Sequence, residues 1–104
     1  MNKNEYEKHF NNLYKEISNI LKLKGNEYQV SEDVFSNFVT LGKQLGLTEY
    51  QIWTVYFTKH VTSIQNAIKT NPSNPDSKAM PESLDSRIID AIAYLCLLYG
   101  MTKR

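Results

Sequence analysis

Residues Ile88 to Tyr99 read Ile-Ile-Asp-Ala-Ile-Ala-Tyr-Leu-Cys-Leu-Leu-Tyr, a helix-length run that is apolar almost all the way round. A helix with no polar face belongs in a core or between subunits, so the rest of the chain must cover it. Asp90 sits inside this run, and Glu82, Asp85 and Arg87 lead into it. A carboxylate in apolar surroundings is costly unless it is paired, hydrogen-bonded or bound to a cation. The same helix therefore constrains the fold and marks the first place to look for a site.

Hydrophobic spacing elsewhere is helical throughout and predicts an all-α chain: an antiparallel four-helix bundle-like domain over residues 1–104, with helices at about 4–24, 31–46, 48–69 and 82–99 and a loop at 70–81. In the first helix, Tyr6, Phe10, Leu13, Tyr14, Ile17, Ile20 and Leu21 fall on one face. Gly25 is its expected stop, with Lys22 and Lys24 in the last turn. Ser31 before Glu32 and Asp33 is the expected cap of the second helix, Val34, Phe35, Phe38, Val39 and Leu45 its apolar side, and Gly46 its end. Thr48 and Gln51 form a capping box for the third. Its apolar positions are Ile52, Val55, Tyr56, Ile64, Ala67 and Ile68. The three prolines between Asn71 and Pro81 exclude regular structure there, and the small polar residues predict a mobile loop suited to a lid. Pro81 suits the first turn of the fourth helix, and Gly100 is its expected stop. No repeat, coiled-coil heptad or strand stands out.

With 104 residues the core is modest, so self-association would help. The fourth helix, Trp53, Phe57 and the seven tyrosines predict a homo-oligomer. The net charge of +1 gives no bulk attraction to nucleic acid or acidic membranes, and the basic residues form no stripe for duplex DNA. The apolar run is too short to span a bilayer and the N-terminus has no signal-peptide pattern, which predicts a cytoplasmic protein. Cys96, the one cysteine, is expected to be a buried inert thiol.

Three constellations carry chemistry. Glu82 and Asp85 share a helix face, as do Glu82, Ser86 and Asp90. Such carboxylates suit Mg²⁺, which prefers oxygen ligands; Glu82 and Asp85 equally suit the helix dipole. Arg87, Asp90 and Tyr94 form a line at i, i+3, i+7. This is either an intrahelical ion pair, worth roughly 0.3–0.5 kcal/mol if exposed, or an anion-binding arginine oriented by Asp90. Lys59, His60 and Ser63 offer donors suited to phosphate, flanked by Trp53, Tyr56 and Phe57, whose rings suit a base. The alternative there is a solvated lysine and a surface histidine. Asn37, between Phe35 and Phe38, reads as a buried amide that either meets a base edge or caps backbone. His9 and His60 are the only histidines, which excludes a histidine-rich metal site within one chain. The four glycines are isolated, so there is no glycine-rich phosphate loop.

In order, Lys24-Gly-Asn-Glu-Tyr28, Asp33-Val-Phe-Ser-Asn-Phe38, Lys59-His-Val-Thr-Ser-Ile64, Glu82-Ser-Leu-Asp85 and Asp90-Ala-Ile-Ala-Tyr-Leu95 resemble small phage-encoded helical proteins of the family called nucleotide modification associated domain 1. That family is distantly similar to the MazG-like all-α nucleoside triphosphate pyrophosphatases. The resemblance covers residues from Ile20 to Met101 and implies a nucleotide-type ligand. MazG-like enzymes hold Mg²⁺ with an E-x-x-E pair on one helix and an E-x-x-D pair on another. Glu82 and Asp85 fit the second pair, but Lys59 and His60 stand where the first is expected. Cations there remove metal ligands and add phosphate donors.

The leading expectation is thus a non-catalytic nucleotide-binding protein of phage type with no cofactor, sequestering a host immune signal such as a cyclic nucleotide or an ADP-ribose derivative in the host cytosol. Lys59, His60, Ser63 and Arg87 would hold phosphate, and Tyr28, Trp53 or Tyr94 would stack on the base. Asp90 would orient Arg87 or bind a ribose hydroxyl, with Asn37 beside them. One alternative is a Mg²⁺-dependent pyrophosphatase using Glu82, Asp85 and Asp90. The other is a protein-binding inhibitor with exposed tyrosine and tryptophan.

Overall fold

A computed structural model describes residues 1–28, 35–77 and 80–103, with the backbone alone over 23–28. The chain is all-α and bundle-like, with no strand among the described residues: α1 (Lys3–Tyr28), α2 (Ser36–Leu45), α3 (Glu49–Thr70) and α4 (Leu84–Met101). It divides into two compact units, Met1–Val34 and Phe35–Arg104. No helix among the described residues is long and apolar enough to cross a membrane.

The first unit consists of α1, which does not stop at Gly25 but continues to Tyr28, with no basic residue in its last turn. Asn2 starts it: its side-chain oxygen accepts from the Glu5 amide at 2.8 Å and its amide donates to the Glu5 carboxylate. Of the predicted apolar face, Ile17 is buried and Leu13, Ile20 and Leu21 are half-buried, whereas Tyr6, Phe10 and Tyr14 are exposed.

The second unit holds the core. Phe35, Phe38, Ile52, Trp53 and Met101 are buried together, with Leu41, Tyr56, Phe57, Tyr94, Leu97 and Leu98 packed on them. Burying one such side chain contributes roughly 1.5–3 kcal/mol, so this cluster holds α2 and α4 against α3. α2 begins at Ser36 rather than at the expected Ser31, which lies outside the described residues. Phe35 occupies the cap position without a side-chain cap bond, because its hydrocarbon ring has no acceptor atom; the ring packs in the core instead. Gly46 ends α2 as predicted, in the left-handed conformation (φ 70°) that glycine adopts without steric cost. Leu45, assigned above to the apolar side of α2, is exposed, as are Val55 and Ile68 of α3.

α3 starts at the predicted capping box: the Gln51 amide donates to the Thr48 hydroxyl, and the Thr48 amide to the Gln51 side chain at 2.8 Å. α4 begins at Leu84, capped by Ser83, so Pro81 and Glu82 precede it rather than forming its first turn. It also runs through Gly100 to Met101. A Cβ on Gly100 would lie 3.0 Å from Phe35 Cζ, so this glycine admits the Phe35 ring rather than ending the helix. Ile89, Ala91 and Ala93 are all buried, as expected of a helix covered on more than one side. Cys96 departs from expectation: it is exposed.

The segment between α3 and α4 is a run of turns. Amide-to-carbonyl bonds link Asn74 to Asn71, Ser77 to Asn74 and Met80 to Ser77. The Asp76 carboxylate accepts from the Leu84 amide at 3.0 Å. The predicted mobile loop is thus tied, among its described residues, to the first turn of α4.

Candidate functional site

α3 and α4 run antiparallel, and the polar residues singled out in each meet along their seam. At one end Trp53 donates its indole N–H to the Tyr94 carbonyl at 2.7 Å. At the other, Arg87 reaches back to Ser63: Nη1 donates to the Ser63 carbonyl at 2.7 Å and to its hydroxyl at 3.2 Å. Arg87 Nε donates to the Glu82 carbonyl at 3.3 Å. Arg87 as a whole is only 8% exposed, and its guanidinium clamps the two helices. None of these bonds goes to Asp90, so the expected line of Arg87 and Asp90 is not what holds the arginine; Asp90 is half-buried one turn further on.

Arg87 Nη2 has no hydrogen bond among the described residues, and no fully buried polar side-chain atom there lacks a partner. Nη2 is therefore not fully buried. The Ser63 hydroxyl accepts from Arg87 and retains its own proton to donate.

Between the two ends lies a ladder of rings. Phe38 meets Tyr56 edge-on (6.1 Å, 85°), Tyr56 tilts against Tyr94 (6.2 Å, 31°), and Tyr94 against His60 (4.6 Å, 40°). Lys59 Nζ lies 5.4 Å above the Tyr56 ring centre, within cation–π range. Lys59 is exposed, while His60, Ser63 and Tyr94 are half-buried. The seam thus combines a cation, an imidazole, a hydroxyl and an anchored guanidinium with an aromatic wall. That donor set suits an anion carrying a flat ring.

The seam brings together Lys59, His60, Ser63, Arg87 and Tyr94. Trp53 joins them only through its N–H, because its ring is buried and stacked on Phe57 (4.7 Å, 12°). Asn37 is exposed on α2, not the buried amide expected of it. The Tyr28 side chain lies outside the described residues, as do Glu32 and Asp33. Tyr56 was noted only as a flank, yet it links Lys59 to Tyr94; its place three residues before Lys59 on one helical face was the available signal.

The carboxylates are deployed separately. Glu82 accepts from the Ser86 hydroxyl at 3.0 Å, and Asp85 is exposed in the first turn of α4. Among the described residues no three His, Cys, Asp or Glu side chains gather as a metal site would.

No protein-family model, curated protein or solved structure matches the chain.

Proposed function

We propose that this protein binds a nucleotide-type anion at the α3–α4 seam without turning it over. The observation that carries the reading is Arg87: a buried residue whose guanidinium is anchored through Nη1 and Nε, with Nη2 unbonded among the described residues at the end of an aromatic seam. An arginine held in one geometry loses little entropy when it meets an anion. In this reading Arg87, Lys59 and His60 hold phosphate oxygens, Ser63 donates its hydroxyl, and Tyr56 and Tyr94 present the wall for a base. Asp90 takes a ribose hydroxyl. Trp53 and Asn37 have no role, since one ring is committed to the core and the other side chain stands on a different helix.

The sharper version is sequestration of a host nucleotide signal, a cyclic nucleotide or ADP-ribose derivative, by a phage-type protein. Its support is the motif resemblance together with cations where the pyrophosphatase relatives of that family carry carboxylates.

The test is thermal shift against mono-, di- and cyclic nucleotides and ADP-ribose compounds, with and without Mg²⁺, each ligand then recovered by chromatography. The expected result is stabilisation by a nucleotide recovered intact. Lys59→Ala should weaken binding tenfold or more, about the loss of one charge-assisted bond, with the unliganded melting temperature unchanged. Cleavage that needs Mg²⁺ would make the chain a pyrophosphatase. No shift with any ligand would leave the inhibitor reading in its place.

A further inference from the structure

The two cations of the seam have no counter-ion. Arg87 donates only to neutral oxygens, the Glu82 carbonyl and the carbonyl and hydroxyl of Ser63. Lys59 meets the face of the Tyr56 ring. Neither makes an ion pair among the described residues. Charge on a buried residue is costly while only neutral groups face it, and an anion offsets that cost. Arg87 is such a residue.

The cations also stand apart. A helical side chain leans towards the N-terminus of its own helix. Because α3 and α4 are antiparallel, Lys59 leans towards Tyr56 and Arg87 towards Glu82, in opposite directions along the seam. The two helices are in register at both ends, with Tyr56 beside Tyr94 and Ser63 beside Arg87. On each helix the two positions are two turns apart, about 10 Å along the axis. The paired rings of His60 and Tyr94 lie in that interval. A hydrogen bond from a charged nitrogen reaches about 2.8 Å. A single phosphate with such a bond on either side falls short of both cations, whereas two phosphates reach them.

We infer, resting on the reading of the seam as a nucleotide site, that its ligand is a nucleoside bearing two phosphate groups, one taken by Arg87 with Ser63 and the other by Lys59. Two adjacent phosphates would lie along the seam past His60. Two phosphates on separate ribose oxygens would hold the sugar between the cations. A single phosphate, open or cyclic, meets one cation and leaves the other bare. Arg87 is the end it takes, because that guanidinium is already anchored.

The test is isothermal titration calorimetry of the full-length protein with four sets of ribonucleoside compounds: the diphosphates, the bisphosphates carrying a phosphate on each of two ribose oxygens, the monophosphates and the cyclic monophosphates. A two-phosphate compound should bind at least about tenfold more tightly than either single-phosphate form of the same nucleoside, the gain from one further charge-assisted contact. Which two-phosphate set wins tells adjacent phosphates from separated ones. Extra charge alone would also raise affinity, so Lys59→Ala is titrated beside the wild type. It should bring the two-phosphate compound down to the affinity of the monophosphate and leave the monophosphate where it was, with the unliganded melting temperature unchanged. Equal affinity for one and two phosphates, or a Lys59→Ala loss as large for the monophosphate as for the two-phosphate compound, would overturn the inference while nucleotide binding stood. Binding by none of the four sets would remove the reading of the seam and the inference with it.

Discussion

Arg87 shows how one side chain can be both a brace and a ligand group. Buried beside Ser63 and Glu82, it closes one end of the α3–α4 seam, as the Trp53 indole closes the other. Removing it should therefore cost stability as well as binding. Arg87→Ala should lower unfolding free energy by about 2 kcal/mol, the range for charged hydrogen bonds lost from a buried site. Arg87→Met, which keeps the apolar stem, should recover part of that loss. Urea titration of the two variants separates stem from guanidinium; equal loss in both would assign the whole effect to the charged group. The sequence singled out Arg87 and Ser63 independently, because a cation leading into an apolar helix and a serine among donors are both conspicuous. It could not pair them, since nothing in the spacing within one helix says which residue of another stands opposite. Asp90, three residues on, was the only visible partner. Cys96 failed for a related reason: an all-round apolar run does not say which of its sides is left open.

At the level of elements, the strongest local signals were chemical rather than periodic. The Thr48–Gln51 box and the Gly46 stop depend only on neighbouring residues, and both were legible. Gly25 and Gly100 were read as stops by the same rule. Gly100 is inside α4 because the Phe35 ring needs its bare face, a tertiary reason no local pattern contains. Gly42 carries a similar constraint. A Cβ there would meet the Leu47 carbonyl oxygen at 2.6 Å, and that oxygen belongs to backbone that cannot swing aside. The Leu47 amide also donates to the Gly42 carbonyl, fixing the turn from α2 to α3. Gly42→Ala should accordingly destabilise by about 2 kcal/mol or more, within the 1–3 kcal/mol typical of overpacking. Thr48→Ala should cost about 1 kcal/mol through the lost cap. Thermal melts of both report the order, and a Gly42→Ala variant as stable as wild type would show that the turn yields.

Considered as a whole, the molecule divides its aromatic residues between two tasks. In the second unit Phe35, Phe38, Trp53, Tyr56 and Tyr94 make core and seam, whereas Tyr6, Phe10 and Tyr14 of the first unit are exposed. The sequence counted the seven tyrosines as evidence for assembly, together with Trp53, Phe57 and the last helix. Composition cannot separate a ring that fills a core from one that awaits a partner, and Trp53 and Phe57 are stacked on each other inside the chain. The division has a dynamic consequence. Local stability follows buried apolar contact, so elements with the least of it open first, and among the described residues of α1 only Ile17 is buried. Amides of α1 should exchange with solvent faster than those of α3 and α4 in dilute protein. Hydrogen exchange read by mass spectrometry checks this order: α1 should lose its protection first, and α1 amides as slow as those of α3 and α4, which the Arg87 clamp and the core hold, would show that Ile17 and its half-buried neighbours protect α1 as well as the core protects the second unit.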